Sequence, residues 1–174
     1  MNVLAFAASN SRNSINKALV THAANLIENS KVELIDLNDY ETPLYSVDRE
    51  GADGIPAAAQ KFYDKIGGAD ALVISFAEHN GNFTAAYKNL FDWASRIDQA
   101  VYQGKPAVLL ATSPGPGGAG NVLGTAKGSA PYFKLDVKAD LSVPSFYDNF
   151  DMENGRLTNS ELQAQLETAI SSLN

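Results

Sequence analysis

Short apolar runs alternate along this sequence with stretches of helical periodicity, and that alternation narrows the possible folds more than any single residue does. Strands are expected at Val3 to Ala8, Lys31 to Leu37, Asp70 to Phe76, Lys105 to Thr112 and Lys134 to Leu141. Helices are expected between them. The first runs from Ser14 to about Asn29, with Ile15, Leu19, Ala23, Leu26 and Ile27 on one face. The second begins with Pro56 as its first residue, reaches Ile66 and ends at Gly67-Gly68. A third spans about Thr84 to Ile97, a fourth ends near Ala130, and the last runs from Ser160, a candidate N-cap, to Leu173. Parallel strands need a long crossover, and a helix is the usual one, so this order points to a parallel sheet with helices on both faces.

Size and charge bound the function. A chain of 174 residues, 45% of them apolar, is long enough for one well-buried core and too short for two ordinary domains, so residues 1–174 are expected to form a single domain. A formal charge of −7 and an isoelectric point near 4.7 argue against nucleic acids and anionic membranes, which demand basic patches. Cysteine is absent, which excludes disulfide and thiolate chemistry, and His22 and His79 are too few for a His-rich metal site. Met1 leads directly into a strand with no basic leader, and no apolar run reaches membrane-spanning length. The expected setting is the cytoplasm.

The chemistry-bearing residues lie in the loops that follow strands. In an open parallel sheet such loops gather at the carboxyl edge, where ligands bind. After the first strand, Ser9, Asn10, Ser11, Arg12 and Ser14 crowd the approach to a helix N-terminus, the right chemistry for an anion. Ser and Asn before a helix are ordinary caps, but this polar density exceeds what one helix start needs, and Arg12 has no structural task there. After the third strand comes Glu78-His79-Asn80-Gly81-Asn82. Asn-Gly suits a tight turn, and because a helix follows, no β-hairpin is expected. His79 has no carboxylate or nucleophile partner in the sequence and reads as a hydrogen-bonding loop residue. The fourth strand is followed by Ser113 to Asn121, SPGPGGAGN, whose glycines permit turns and let backbone N–H groups approach a ligand closely. Leu90, Phe91 and Trp93 read as helix core, while Tyr87 fits either core or site. The polar stretch Asn38 to Ile55, with Pro43, Gly51 and Gly54, is long for an idle loop.

Taken together and in order, ASNSRNSIN, AEHNGNFTAAYKNLFDW and SPGPGGAG resemble the NADPH-dependent FMN reductase family. The specific part is the middle motif, in which Glu78, Asn80, Gly81, Lys88, Asn89, Asp92 and Trp93 all match. Departures are Ala8, Ala77, His79 and Asn82, which stand where the family has glycine, proline, tyrosine and serine, and Arg12, which lies one position nearer to Ser14. The resemblance implies a flavodoxin-like α/β three-layer sandwich with five parallel strands in the order 2-1-3-4-5. It implies that Ser9, Ser11, Ser14, Ile15 and Asn16 hold the FMN phosphate, with Arg12 nearby. It further implies that Glu78, His79, Asn80, Gly81 and Asn82 line the isoalloxazine ring, and that Ser113, Pro114, Gly115, Gly117 and Gly118 close its other side. No side chain is implied as catalytic and no metal is implied. Hydride from NADPH or NADH would pass through flavin N5 to a small acceptor such as a flavin or quinone, in a ping-pong cycle. A homodimer or homotetramer is implied too, with the Asn38 to Ile55 loop crossing to a partner. A non-enzymatic electron carrier and a flavin-free binding domain remain as alternatives on the same scaffold.

Overall fold

The computed structural model describes residues 1–173. Its sheet is built from β1 (Asn2–Ala8), β2 (Lys31–Ile35), β3 (Ala71–Phe76), β6 (Pro106–Thr112) and β7 (Asp136–Val143), all parallel, in the order β2-β1-β3-β6-β7. This is the expected flavodoxin-like order. Along β1, alternate side chains point to opposite faces. Val3, Ala5 and Ala7 pack with Leu19, Val20 and Ala23 of α1 (Ile15–Asn25) and with Leu166, Ala169 and Ile170 of α7 (Ser160–Ser171). Leu4, Phe6 and Ala8 belong to the other core, with Phe62 and Ile66 of α3 (Ala57–Gly67), Leu90 and Trp93 of α4 (Ala85–Ile97), and Val122 and Leu123 of α5 (Gly120–Ser129). Every residue of β3 is buried, as befits a central strand covered on both faces.

Several boundaries differ from the sequence-based expectation. Helix α1 stops at Asn25, four residues early, where the Leu26 and Ile27 N–H groups donate to the carbonyls of Ala23 and Ala24, and Asn29 turns to a φ of 53°. Strand β2 ends at Ile35 because Asp36 caps a 3-10 turn over Leu37–Tyr40. Ser160 is the first helical residue of α7, and Asn159 is the cap: its side-chain oxygen accepts from the N–H groups of Glu161 and Leu162. The Asn38 to Ile55 stretch contains a helix, α2 (Val47–Asp53), capped by Ser46 and without a buried residue. Between β7 and α7 lie a short helix, α6 (Phe146–Asn149), and a hairpin of β8 (Phe150–Asp151) with β9 (Arg156–Leu157).

The largest correction concerns Asn80-Gly81. Glu78–His79 (β4) pairs antiparallel with Asn82–Phe83 (β5), so a hairpin does stand between β3 and α4. Its two central residues sit at φ 53° and 78°, the backbone of a type I′ turn, in which Asn-Gly is strongly preferred. The helix that follows is no obstacle, because Thr84 caps α4 immediately after β5. No helix among the described residues is long and apolar enough to cross a membrane.

Candidate functional site

Strands β1, β3 and β6 are neighbours in the sheet, so the loops that leave their carboxyl ends lie side by side. Three sets of hydrogen bonds bolt these loops into one unit. The Thr84 hydroxyl donates to the Ala8 carbonyl at 3.0 Å, joining the start of α4 to the end of β1. Asn16, 2% exposed, joins the first loop to the third: its amide nitrogen donates to the Thr112 carbonyl at 3.1 Å, and its oxygen accepts from the Thr112 N–H at 3.1 Å and the Ser75 hydroxyl at 2.8 Å. Glu78 joins the hairpin to α5, its carboxylate accepting from the Val122 N–H at 2.9 Å and, more weakly, from the Asn121 amide at 3.5 Å.

The first loop presents donors. Ser14 is the N-cap of α1, its hydroxyl oxygen accepting from the Lys17 N–H at 3.2 Å. Ahead of it, the Ser9 oxygen accepts from the Ser11 N–H at 3.1 Å and folds the loop into a tight turn. Both hydroxyls therefore keep their protons for another acceptor. The backbone N–H groups of Ile15 and Asn16 belong to the first helical turn and have no acceptor among the described residues. Arg12 is exposed and makes no ion pair among the described residues. Lys17 is different. It pairs with Asp36 at 2.5 Å, and that hydrogen bond, followed by the one from the Asn38 N–H, holds the Asp36 carboxyl below its ordinary range. Free donors, one unpaired guanidinium and a positive helix end make a cradle for a phosphate; the helix dipole alone is worth about 0.3–1 kcal/mol.

The other two loops form open walls. A Cβ built on Gly81, Gly115 or Gly117 would meet nothing within 4 Å, so the backbone at these three positions is open to close approach. Gly118 has another task. Its φ is 57°, and a Cβ there would fall 2.2 Å from the Ser142 hydroxyl and 3.1 Å from the Pro144 nitrogen, so it packs against the end of β7. The Gly115 and Ser113 carbonyls accept from the N–H groups of Ser145 and Phe146, which sets the height of this wall, with Pro114 exposed on it. His79, Asn80 and Asn82 are exposed on the hairpin.

The structure thus brings the three loops together at one edge and shows which of their side chains are already bonded to protein. The side chains of Asn16 and Glu78, expected at the phosphate and the ring, are bonded to protein, whereas Ser9, Ser14, Arg12 and the first-turn backbone of α1 stay available. Two contributors were missed in the sequence. Ser75 is a lone hydroxyl inside the apolar run ALVISF, and Thr84 precedes a helix that it both caps and ties to β1. Lys88, Asn89, Asp92 and Trp93, on α4, are bonded to protein, and Asn89 lines a pocket with Asn10 of the first loop. Lys88 pairs with Asp92 at 2.7 Å. Asn89 accepts from the Tyr45 N–H and donates to the Thr42 and Pro43 carbonyls, and the Trp93 indole N–H donates to the Pro43 carbonyl at 2.7 Å.

Comparison with known proteins bears on the family and the fold. The model of the NADPH-dependent FMN reductase family matches residues 1–139. An NAD(P)H-dependent FMN reductase of Pseudomonas aeruginosa is 30% identical over 176 residues, covering 98% of this chain and 92% of that protein. A 2-hydroxy-1,4-benzoquinone reductase of a Burkholderia species is 31% identical over 163 residues, covering 90% and 85%. Among solved structures, the flavoenzyme FerB of Paracoccus denitrificans, an NAD(P)H:(acceptor) oxidoreductase, superimposes with a TM-score of 0.78 at 24% identity, covering 99% of this chain and 94% of that one.

Proposed function

The chain belongs to the NADPH-dependent FMN reductase family, and from that premise we propose that the cleft between its three loops binds FMN and passes hydride from NAD(P)H to a quinone-type acceptor. The observation that carries this reading is the cradle of free donors in the first loop beside two walls of bare backbone, all locked together by Thr84, Asn16 and Glu78. When bound, FMN supplies the two-electron chemistry, so the protein needs to provide binding, orientation and electrostatics.

Ser9, Ser11, Ser14, Arg12 and the N–H groups of Ile15 and Asn16 receive the phosphate. The Asn80-Gly81 turn presents backbone to one edge of the ring, and Gly115 and Gly117 leave room along the other. The side chains of Asn16 and Glu78 act behind this surface: they hold the loops together and do not touch the ligand. Exposed Leu44 and Val47, at 75% and 74%, stand on the 41–53 excursion, and we assign them to the contact of a homodimer or homotetramer in the cytoplasm. Sedimentation of Leu44→Asp as a smaller species than the wild type supports that contact; unchanged sedimentation removes it.

The decisive experiment is an absorbance spectrum of protein loaded with FMN and desalted, followed by anaerobic NADPH and then 1,4-benzoquinone. Retained flavin bands that bleach within seconds and return on addition of the quinone are expected. Bands that survive NADPH contradict a reductase.

A further inference from the structure

Away from the cleft, α4, α5 and the segment around Phe133 enclose a second cavity of about 200 Å³. Its walls are the rings of Phe83, Tyr87, Phe91, Tyr102 and Phe133, packed on one another with Phe91 and Phe133 edge-to-face at 4.7 Å, together with the Lys88–Asp92 ion pair. The size is informative: an apolar cavity of about 150 Å³ holds a benzene ring. None of the residues selected for the cleft lines this space.

The polar groups of the wall define a ligand. Tyr87 and Tyr102 are 2% and 5% exposed, and their hydroxyls bond to each other. One phenol donates and the other accepts, whichever way the bond runs, so the accepting phenol keeps a proton with no acceptor among the described residues. Burial pushes the Tyr102 hydroxyl up to about 12 and Tyr87 well above its ordinary value, so both remain protonated near neutrality. A buried donor without an acceptor is costly and calls for a partner. The other hydroxyls of the cavity are the reverse. Ser95, Thr125 and Ser129 donate to the carbonyls of Asp92, Asn121 and Ala126 in their own helices, and so offer only lone pairs.

We propose that this aromatic cavity is a binding site for a single-ring phenol, the class that includes hydroquinones. The ring fills the apolar volume, the ligand oxygen accepts the unpaired tyrosine proton, and the ligand O–H donates to a lone pair of the serine and threonine hydroxyls. Phe83 belongs both to the cavity wall and to the hairpin carrying Asn80 and Gly81, so an occupant touches the back of a cleft loop.

The test is calorimetric titration of phenol, with toluene as the isosteric control, into the protein both with and without FMN. Flavin retention is read separately from its absorbance, so failure of the cleft reading does not register as loss of phenol binding. Phenol should bind about tenfold more tightly than toluene, the ratio that corresponds to the net contribution of one good hydrogen bond. Tyr102→Phe should preserve that ratio, because Tyr87 then carries the free proton. The double variant Tyr87→Phe, Tyr102→Phe should bring the ratio to about one, and Ser129→Phe, which fills the space, should abolish binding of both. Equal affinity for phenol and toluene in the wild type overturns the proposal. So does absence of binding at millimolar phenol with an ordered water found on the tyrosine pair.

Discussion

Glu78–Phe83 and Lys88–Trp93 belong to one motif and are separated by a few residues, yet Glu78 on one side and Asn89 and Trp93 on the other bond to different parts of the molecule. The hairpin half stands at the carboxyl edge, with its turn backbone open to the cleft and the Glu78 carboxylate capping α5. The helical half turns toward the 41–53 excursion, where Asn89 and Trp93 hold the backbone of Thr42, Pro43 and Tyr45, and the Tyr45 ring meets Trp93 edge-on at 5.0 Å. The excursion is fixed further by Glu50, which accepts from the Tyr45 hydroxyl at 3.0 Å and from Arg96. A motif can therefore be specific to a family without being made of ligand contacts. Half of this one shapes the cleft, and the other half sets the pose of a segment that exposes Leu44 and Val47.

The difference is broken most directly at Trp93. The indole is fully buried and also supplies the bond to the Pro43 carbonyl, so Trp93→Ala should lower stability by about 3–5 kcal/mol. Urea unfolding followed by circular dichroism measures this. If the two halves are independent, FMN affinity of the folded variant stays within about twofold of wild type; a large loss of affinity would mean that the excursion supports the cleft. Asn16→Ala makes the converse case. It strands the Ser75 hydroxyl and both backbone groups of Thr112, at a cost of about 2–3 kcal/mol. Because the lock between first and third loops is lost, FMN binding measured by flavin fluorescence should weaken at least tenfold.

These two sites also mark what could be read from the sequence. The strand order, the helices with an apolar face and the gathering of three loops at one edge were legible, because burial on two faces forces apolar runs of recognisable period. Helix α2 was not, since VDREGAD has no buried residue and is held by the Ser46 cap and by Glu50 bonded to Tyr45 and Arg96, none of which leaves a periodic signal. The hairpin was not legible either. Strands of two residues are too short to show alternation, and its only mark was the Asn-Gly pair. At the site, the sequence shows which polar residues follow each strand and not which way their side chains turn. Asn16 and Glu78 look like ligand groups in sequence, but which way an amide or carboxylate turns is decided by partners 96 and 44 residues away, Thr112 and Val122.

Glu78 sharpens the comparison with a smaller effect. Helix α5 begins at Ala119, which sits in a left-handed conformation and offers no side-chain cap, so the carboxylate of Glu78 supplies the cap from another loop. Glu78→Ala should cost about 1 kcal/mol of stability and weaken FMN severalfold. Glu78→Gln, which keeps an acceptor oxygen and loses the charge at the helix end, should restore most of the stability. If the carboxylate touched the ring instead, the glutamine variant would shift the flavin absorbance bands while leaving stability unchanged.

The smallest expected effect lies at Lys17 and Asp36, where the first turn of α1 meets the end of β2. The pair is partly exposed, so solvent screening limits it to under about 1 kcal/mol. Asp36→Asn isolates the charge, because an asparagine oxygen can still accept from the Asn38 N–H and keep the 3-10 turn. The Asp36 carboxyl is held below its ordinary value of 3.8, first by the Lys17 hydrogen bond, so its contribution is complete above that value and is lost as pH falls through the lower, folded-state value. Stability of wild type and variant should therefore differ slightly at pH 7, and the difference should shrink as pH falls below 3.8 and vanish once Asp36 is protonated in the folded protein. A difference that stays constant through that acid range would show that Asp36 acts through the turn and not through its charge.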